Sequence, residues 1–187
     1  LYSMTLASDL TLFEVIVADD QSSDTTKKML SGLNGITYVL NKSNVGFLMS
    51  CNNAAKYATA DYLFFLNNDT AVLPGWLDTL CETFERERSA GLIGSKLIYP
   101  DGILQEAGGI LWSEGAANYG KYDDPNKPEY SYLRQVDYVS GAAIMIRKKL
   151  WIDIGGFDTR YTPAYCEDSD LCLEIRSRGL KVLMQPC

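Results

Sequence analysis

The first half of the chain alternates short apolar runs with stretches of helical periodicity. The apolar runs at 14–18, 36–40 and 61–66 have the length of buried strands, and each is followed by polar or turn-forming residues. Apolar residues spaced four, three and four apart predict a helix within 46–59, and Pro74 marks the start of another helix. Strands that alternate with helices indicate a parallel sheet with helices on its faces, so we predict an α/β fold.

The second half has a less regular pattern. Strand-like runs lie at 91–99, 109–112 and 136–147, and a helix is expected across 167–178. The segment 113–134 is polar and rich in Tyr, Gly, Pro and Asp. A loop of that length in a compact domain is more often a functional lid than a plain connection, and a solvated surface loop is a close alternative.

Composition narrows the class of protein. With 187 residues, of which 47% are hydrophobic and 22% charged, the chain can bury one sizeable core, which argues against a disordered or fibrous protein. The net charge of −7 disfavours nucleic acid or an anionic membrane surface as a partner. The sequence has no histidine, which excludes Ser-His-Asp and Cys-His catalytic groups and histidine-ligated zinc within these residues.

Cysteine usage and hydropathy bear on the compartment. The five cysteines suggest neither a disulfide framework nor a zinc ribbon, because their number is odd and no pair has C-x-x-C spacing. We therefore expect a reducing, cytoplasmic compartment. The sequence has no apolar run of about 18 residues and no signal-peptide pattern, so no membrane span is expected. The start at Leu1 and the end at Cys187, after a strand-like run, suggest a piece of a longer protein.

Polar side chains follow two of the predicted strands. Asp19 and Asp20 come after the first strand, and Asn67, Asn68 and Asp69 come after the third. In an open parallel sheet, ligands bind outside the carboxyl ends of the strands. Each cluster alone is better explained by a turn or a helix cap. Two clusters at one edge favour a divalent cation or a polar ligand, because converging carboxylates repel each other.

A third acidic cluster, Glu167-Asp168-Ser169-Asp170, opens the last predicted helix. Carboxylates at a helix N-terminus cap free backbone N–H groups and interact favourably with the helix dipole. Three carboxylates in four residues exceed what a cap requires. Their repulsion favours proton uptake, as a general base needs, whereas the helix terminus opposes it, and the spacing does not decide between the two effects.

Glycine-rich phosphate loops are absent from the sequence. It contains neither G-x-G-x-x-G nor G-x-x-x-x-G-K-[ST], so dinucleotide or P-loop binding is not expected.

Five motifs together resemble those of family 2 glycosyltransferases. Residues 15–24 (VIVADDQSSD) are similar to the family's nucleotide-binding segment, usually V-I-V-V-D-D-G-S-x-D. Residues 44–52 resemble its N-x-G-x-x-x-x-x-N stretch, and 66–70 lie where the family has an Asp-x-Asp motif. Residues 155–158 and 165–171 resemble its G-G-F-D and E-D-x-D-L motifs. The motifs occur in the family's order over nearly the whole chain, in a pattern similar to bacterial members that build rhamnose-containing and other surface polysaccharides.

The resemblance implies an A-type glycosyltransferase fold: a Rossmann-like, mostly parallel sheet flanked by helices, with a smaller mixed-strand acceptor half. It also implies an inverting transfer of a sugar from a nucleotide-diphospho-sugar to a saccharide or lipid-linked saccharide acceptor. We expect 1–90 to bind the donor and 91–187 to form the acceptor side, in one catalytic domain. The enzyme would act in the cytoplasm, or peripherally at the inner face of the membrane in the full-length protein.

Segment 113–134 would then be a mobile lid on the acceptor side of the cleft. Tyrosine rings stack on sugar faces and donate hydrogen bonds. The tyrosines expected to do so are Tyr119, Tyr122, Tyr130 and Tyr132.

The resemblance assigns roles by position. Asp168 would be the catalytic base, Glu167 would shape the acceptor side, and Asp69 would hold Mg²⁺ or Mn²⁺ against the diphosphate. Asp170 lies about 200° around the helix from Asp168, so we expect it to pair locally. Asp19 and Asp20 would meet the nucleoside. The full set of positions assigned to nucleotide-sugar binding is Asp19, Asp20, Ser22, Asn44, Gly46, Asn52, Asn67 and Asn68.

The sequence departs from the family pattern at a few points. Gln21 replaces the usual Gly, and Asn67 replaces the first Asp of the metal motif, which leaves one charged ligand. The family's first strand and a C-terminal segment with a metal-binding His would lie outside residues 1–187.

Two other functions stay open at this point. A non-catalytic nucleotide- or sugar-binding module of the same fold is the first, although Asp69 and Asp168 are both present. A nucleotidyltransferase is the second, but it would normally show a glycine-rich, basic phosphate loop near its first strand, and the sequence has none.

Overall fold

The computed structural model describes residues 1–9 and 11–186, with helices and strands alternating through most of them. The helices are α1 (Tyr2–Ala7), α2 (Thr26–Ser31), α3 (Gly46–Ala54), α4 (Trp76–Arg86), α5 (Lys148–Ile154) and α6 (Glu167–Ser177). The strands are β1 (Val15–Asp19), β2 (Ile36–Leu40), β3 (Tyr62–Leu66), β4 (Ala90–Ser95), β5 (Leu97–Ile98), β6 (Leu104–Glu106), β7 (Gly109–Trp112), β8 (Gly115–Asn118), β9 (Arg134–Gln135), β10 (Ala143–Arg147) and β11 (Lys181–Gln185). Short 3₁₀ turns span Ala55–Tyr57, Pro128–Tyr130 and Thr159–Tyr161.

Within residues 1–9 and 11–186, the strands form one central mixed sheet and three small ones. The central sheet has the order β3-β10-β4-β11-β9, and among its described neighbouring strands only β4 and β11 pair in parallel. Strands β1 and β2 form a separate parallel pair, and β5-β6 and β7-β8 are antiparallel pairs. The chain is therefore α/β, as the alternation of elements predicts.

The pairing of β3 differs from what that alternation suggests. Its hydrogen-bonded neighbour is β10, which is antiparallel to it and about 80 residues later, whereas a continuous parallel sheet would join it to β1. Apolar periodicity identifies a strand but not its partner, and β10 is buried from Ala143 to Ile146, so it can fill the middle of a sheet. The central sheet thus draws strands from both 1–90 and 91–187, and the division into donor and acceptor halves stays a prediction.

Two apolar clusters cover the faces of the central sheet. On one face, Ile93, Met145 and Leu183 pack with α4. On the other face, their sequence neighbours pack with α3 and α6: Leu92, Ile144, Ile146, Val182 and Met184. Because side chains alternate along a strand, β4, β10 and β11 are covered on both sides, which accounts for their continuous apolar runs.

Segment 113–134 is partly built into the fold. Strand β8 lies within it and pairs with β7. The Tyr130 side chain is only 4% exposed, and Tyr119 packs on the same core with the Arg134 guanidinium 3.8 Å from its ring centroid. The prediction of stacking on sugar faces is therefore wrong for Tyr130, whose ring is buried. It stays a prediction for Tyr119, which is partly buried. The tyrosines that remain exposed are Tyr122 and Tyr132.

None of the helices in the described part of the chain is long and apolar enough to cross a bilayer.

Candidate active site

A tight turn between Ser140 and Ala142, just before β10, joins two of the predicted clusters. The backbone N–H of Asn67, which follows β3, donates to the Ala142 carbonyl at 2.9 Å. The Gly141 amide donates to the Asp168 Oδ2 at the start of α6, at 3.0 Å. The structure thus brings the predicted metal segment and the predicted base to one place, although about 100 residues separate them along the chain.

Asp168 is half-buried, and backbone groups orient its carboxylate. Besides the bond from Gly141 to Oδ2, the Ser169 amide donates to Oδ1 at 2.7 Å and the Ser169 hydroxyl at 3.3 Å. Carboxylate oxygens have about four lone-pair positions in total, so the group can still accept a proton from a ligand.

Glu167 lies inside the protein, although it is next to Asp168 in sequence. Its side chain is 6% exposed, and burial raises the pKa of its carboxyl. Within the described residues, Glu167 Oε2 is the one buried side-chain oxygen or nitrogen that has no hydrogen-bond partner. Burial and the nearby Glu167 charge raise the pKa of the Cys51 thiol to about 12. Glu167 therefore has one carboxylate oxygen free to accept a hydrogen bond, in the residue next to Asp168.

The Asp170 side chain on α6 pairs with the 3₁₀ turn Thr159–Tyr161. The Tyr161 hydroxyl donates to Asp170 Oδ1 at 3.1 Å, and this bond raises the pKa of Tyr161. The prediction that Asp170 pairs locally is confirmed.

The Asp19 side chain, at the end of β1, is buried and hydrogen-bonded within the protein. Its side chain is 3% exposed, Oδ2 accepts from the Tyr38 hydroxyl at 2.6 Å, and Oδ1 accepts from the Ser22 amide at 2.8 Å. The hydrogen bond from Tyr38, followed by that from Ser22, lowers the pKa of the Asp19 carboxyl. Asp19 thereby shapes the turn that presents Ser22 to solvent.

Asp20 caps helix α3. It accepts hydrogen bonds from the Val45 amide at 2.9 Å and the Gly46 amide at 2.8 Å, and a third from the Asn41 side chain at 2.9 Å. These are among the backbone donors that the first turn of a helix leaves free. A direct contact between Asp20 and a nucleotide stays a prediction, and in this structure Asp20 holds α3.

Gly46 and Asn52 connect α3 to the segment before α6. Gly46 has a φ of +81°, and a Cβ there would lie 2.9 Å from the Pro163 carbonyl oxygen, so only glycine fits without a shift. The Asn52 side chain donates to the Phe157 carbonyl at 2.8 Å and accepts from the Phe157 amide at 2.9 Å. Both residues thus position the loop that leads to Asp168, and nucleotide binding by their side chains stays a prediction.

Four predicted residues face solvent and leave polar atoms open to a ligand. Asp69 makes no side-chain hydrogen bond within residues 1–9 and 11–186. In that same part of the chain, no group of three or more Cys, Asp or Glu side chains could hold a metal ion. Asp69 is therefore a single carboxylate with both oxygens available. The four exposed residues are Ser22, Asn44, Asn68 and Asp69.

Glu106 is a site-facing residue that the sequence patterns did not identify. It ends the short strand β6, is 2% exposed, and its Oε1 accepts from the Ser140 amide at 2.9 Å. Burial, reinforced by the Asp168 charge, raises the pKa of Glu106 to about 7. The alternation of Leu104 and Glu106 on the buried face of a strand was the available signal, but three residues are too few to be recognised as a strand.

Two grooves of about 620 and 510 Å³ lie at the other end of the central sheet, where Tyr62 begins β3 and Arg147 ends β10. The Arg147 guanidinium there donates to the Ala90 and Phe84 carbonyls, at 2.9 Å each. Because neither groove includes a predicted site residue, the grooves do not change the location of the candidate site.

The sequence profile of a known family matches most of the chain. The profile described as glycosyl transferase family 2 matches residues 4–153. Among curated proteins, the O-antigen biosynthesis protein RfbC of Myxococcus xanthus is 32% identical over 139 residues, which is 71% of this chain and 11% of that protein. The N-acetylglucosaminyl-diphospho-decaprenol L-rhamnosyltransferase of Mycobacterium tuberculosis is 25% identical over 195 residues, 91% of this chain and 63% of that protein. The chain thus spans less than two thirds of each.

Solved structures share the fold. GalNAc-T7, crystallised with UDP, GalNAc and Mn²⁺, aligns over 100% of this chain and 38% of its own, with a TM-score of 0.79 and 17% identity. Staphylococcus aureus TarS aligns over 98% of this chain and 52% of its own, with a TM-score of 0.67 and 16% identity. Both have the A-type glycosyltransferase fold, so the predicted fold is confirmed.

The family assignment that the five motifs suggested is confirmed by the profile match, which extends over more than half of the residues. The chain belongs to glycosyl transferase family 2.

Proposed function

We propose that the chain forms the catalytic core of an inverting glycosyltransferase in surface-polysaccharide or glycolipid synthesis. It would move a sugar from a nucleotide-diphospho-sugar to a hydroxyl of a saccharide or lipid-linked saccharide. The observation that carries the proposal is the junction at 140–142, which holds the end of β3 against Asp168. In the proposed complex, one ligand would contact both the exposed Asp69 segment and the oriented Asp168 carboxylate. The names of the matched RfbC and rhamnosyltransferase support the polysaccharide role.

A divalent cation fits the donor side. Mg²⁺ and Mn²⁺ prefer oxygen ligands, and Mg²⁺ is often held by one or two carboxylates together with substrate phosphates. Asp69 offers one exposed carboxylate in the described structure, so the diphosphate would supply further ligands. When bound, the cation would neutralise the negative charge that develops on the leaving nucleoside diphosphate. The Mn²⁺ and UDP in the GalNAc-T7 structure support this assignment.

Asp168 is the proposed base. A sugar hydroxyl is a poor nucleophile until a base takes its proton as the new bond forms. Inversion requires a single displacement with one base and no covalent intermediate, so one oriented carboxylate suffices. The bonds from Gly141 and Ser169 hold Asp168 in one orientation. Glu167, whose buried Oε2 has no hydrogen-bond partner in the described structure, would shape the acceptor side.

A non-catalytic nucleotide- or sugar-binding module is the second candidate. Asp19, Asp20 and Asn52 favour it, because their side chains already have partners within the chain. We rank it second because Asp69 and Asp168 keep free acceptor positions, which a module that only binds has no need to retain. The proposed compartment is the cytoplasm or the inner face of the membrane, in line with the free thiols of Cys51, Cys81, Cys166 and Cys172.

The proposed base is tested with a matched pair of variants. A thermal-shift screen with UDP-, GDP- and dTDP-sugars, with and without Mn²⁺, first identifies the donor. Turnover of that donor is then measured for Asp168→Asn and Asp170→Asn, with donor affinity checked for each. We expect Asp168→Asn to lose on the order of 10²–10⁴ in rate while it still binds donor. Near-normal turnover in Asp168→Asn would show that the base lies elsewhere. Donor binding without turnover in the unmodified chain would favour the non-catalytic module.

A further inference from the structure

Two carboxylates from distant elements hold two consecutive backbone amides. Glu106 Oε1 on β6 accepts from the Ser140 amide at 2.9 Å, and Asp168 Oδ2 on α6 accepts from the Gly141 amide at 3.0 Å. Glu106 is 2% exposed, and the roles proposed above do not use it. Burying a carboxyl lowers the stability of the fold unless the group is hydrogen-bonded or paired with an opposite charge. A buried glutamate beside the site therefore calls for an explanation.

The same turn links the base to the donor side. The Ala142 carbonyl, one residue beyond Gly141, accepts from the backbone N–H of Asn67, which lies two residues before Asp69. The Ser140 hydroxyl in turn accepts from the Ala142 amide at 3.3 Å. Because Glu106 anchors the first residue of this turn, it sets the position of the amide that orients Asp168.

The charges around Glu106 come from several elements. Asp168 on α6 is the negative neighbour, and Lys121, after β8, is the positive one. Tyr138 and Cys172 also lie within range of the Glu106 charge, and burial raises the pKa of each to about 12, so both stay neutral near pH 7. Burial and Asp168 raise the pKa of Glu106 to about 7, against the opposing effects of the Ser140 amide and Lys121. Glu106 therefore changes charge near neutral pH.

We propose that Glu106 is a positioning residue for the base: it fixes the Ser140–Gly141 turn and, when ionised, places a second negative charge beside Asp168. This inference rests on the proposed function, in which Asp168 takes the acceptor proton. Two negative charges at one turn attract a proton more strongly than one, so an ionised Glu106 favours movement of the acceptor proton towards this turn. Turnover should rise as the pH passes through 7, the range in which Glu106 ionises.

The coupling between the two carboxylates is tested without any donor. The Glu106 carboxyl is titrated by carbon-13 NMR in the 187-residue chain, in Asp168→Asn and in the control Asp170→Asn. We expect a pKa of about 7 in the unmodified chain and in the control, and a lower value in Asp168→Asn because a like charge has been removed. An unchanged Glu106 titration in Asp168→Asn would overturn the proposal, whatever the chain catalyses.

The functional part is tested by the pH profile of turnover with the donor found in the screen. Glu106→Gln keeps an oxygen for the Ser140 amide but cannot ionise, so it should fold and lose the rise in turnover across pH 7. The control Glu85→Gln, which removes an exposed carboxylate beside the grooves at the other end of the central sheet, should keep the rise. If Glu106→Gln retains the rise, Glu106 has no role in charging the base. If Asp168→Asn is fully active, the assignment of Asp168 as the base fails instead. If the unmodified chain binds donor without turnover, the proposed function fails, and the NMR titration tests the coupling of Glu106 to Asp168 in either case.

Discussion

At the scale of single residues, the candidate site contains two kinds of side chain: those hydrogen-bonded within the protein and those whose polar atoms are free to contact a ligand. Asp19, Asp20 and Asn52 all lie in family motifs, yet each has partners within the chain. Asp69 is exposed, and its carboxylate has no hydrogen-bond partner within residues 1–9 and 11–186. A motif position can therefore matter because it positions the loops of the site, and only the free groups are direct candidates for ligand contact.

The first prediction concerns Asp69. We expect the affinity for UDP to rise when Mn²⁺ is present, and Asp69→Ala to lose most of that gain, because its carboxylate is the charged group that can join the diphosphate on the cation. Isothermal calorimetry with UDP, with and without Mn²⁺, measures the gain. Asp61→Ala, which removes an exposed carboxylate just before β3, should behave like the unmodified chain. A full Mn²⁺-dependent gain in Asp69→Ala would rule out this role.

At the scale of elements, α3 shows how a helix is positioned by residues outside it. Its hydrophobic face packs on the central core through Leu48, while its first turn is held by Asp20 from the end of β1. Its second turn is bonded to Phe157 by the Asn52 side chain. The helix therefore connects the β1–β2 pair to the loop that precedes α6, and its placement determines the position of Asp168.

The second prediction follows from this cap. Asp20→Ala should lower the free energy of unfolding by about 1–2 kcal/mol, because the amides of Val45 and Gly46 lose their acceptor. Asp20→Asn keeps one acceptor oxygen and should lose less. Urea unfolding followed by circular dichroism gives both values. Equal stability of Asp20→Ala and the unmodified chain would mean that water satisfies these amides and that the cap contributes nothing.

At the scale of the whole molecule, buried carboxyls make stability depend on pH. The pKa of Glu106 is raised from 4.5 to about 7, and that of Glu167 is raised as well, both chiefly by burial. The native state therefore binds more protons than the unfolded chain between about pH 4.5 and 7, so stability falls as the pH rises through that range. The lowered pKa of Asp19 acts in the opposite sense, but at pH values below its ordinary 3.8.

The third prediction is that this loss is reduced when Glu106 cannot ionise. From the rise in its pKa to about 7, Glu106 accounts for on the order of 3 kcal/mol of the change. We expect the free energy of unfolding to be lower at pH 8 than at pH 5 in the unmodified chain, and this difference to be smaller in Glu106→Gln. Glu85→Gln serves as the exposed control. A pH dependence in Glu106→Gln equal to that of the unmodified chain would show that the group is not held protonated by the fold.

The longer helices and strands were largely predictable because the spacing of apolar residues along the chain marks the side of each element that is buried. Trp76, Leu80 and Phe84 recur at helical spacing and are all buried on one side of α4. The same reasoning failed for Tyr130, because a polar, glycine-rich stretch gives no sign that one of its rings will enter the core.

The sequence by itself determined the α/β class, the family and the acidic clusters, because these depend on local spacing and on motifs that can be compared residue by residue. Only the tertiary structure decided that β3 pairs with β10, that Asp20 caps α3, and that Glu106 and Asp168 meet at one turn. These contacts join residues about 25 to 80 positions apart. Their free energy depends on which surfaces remain unpaired once the sheet has formed, and no periodicity along the chain records that.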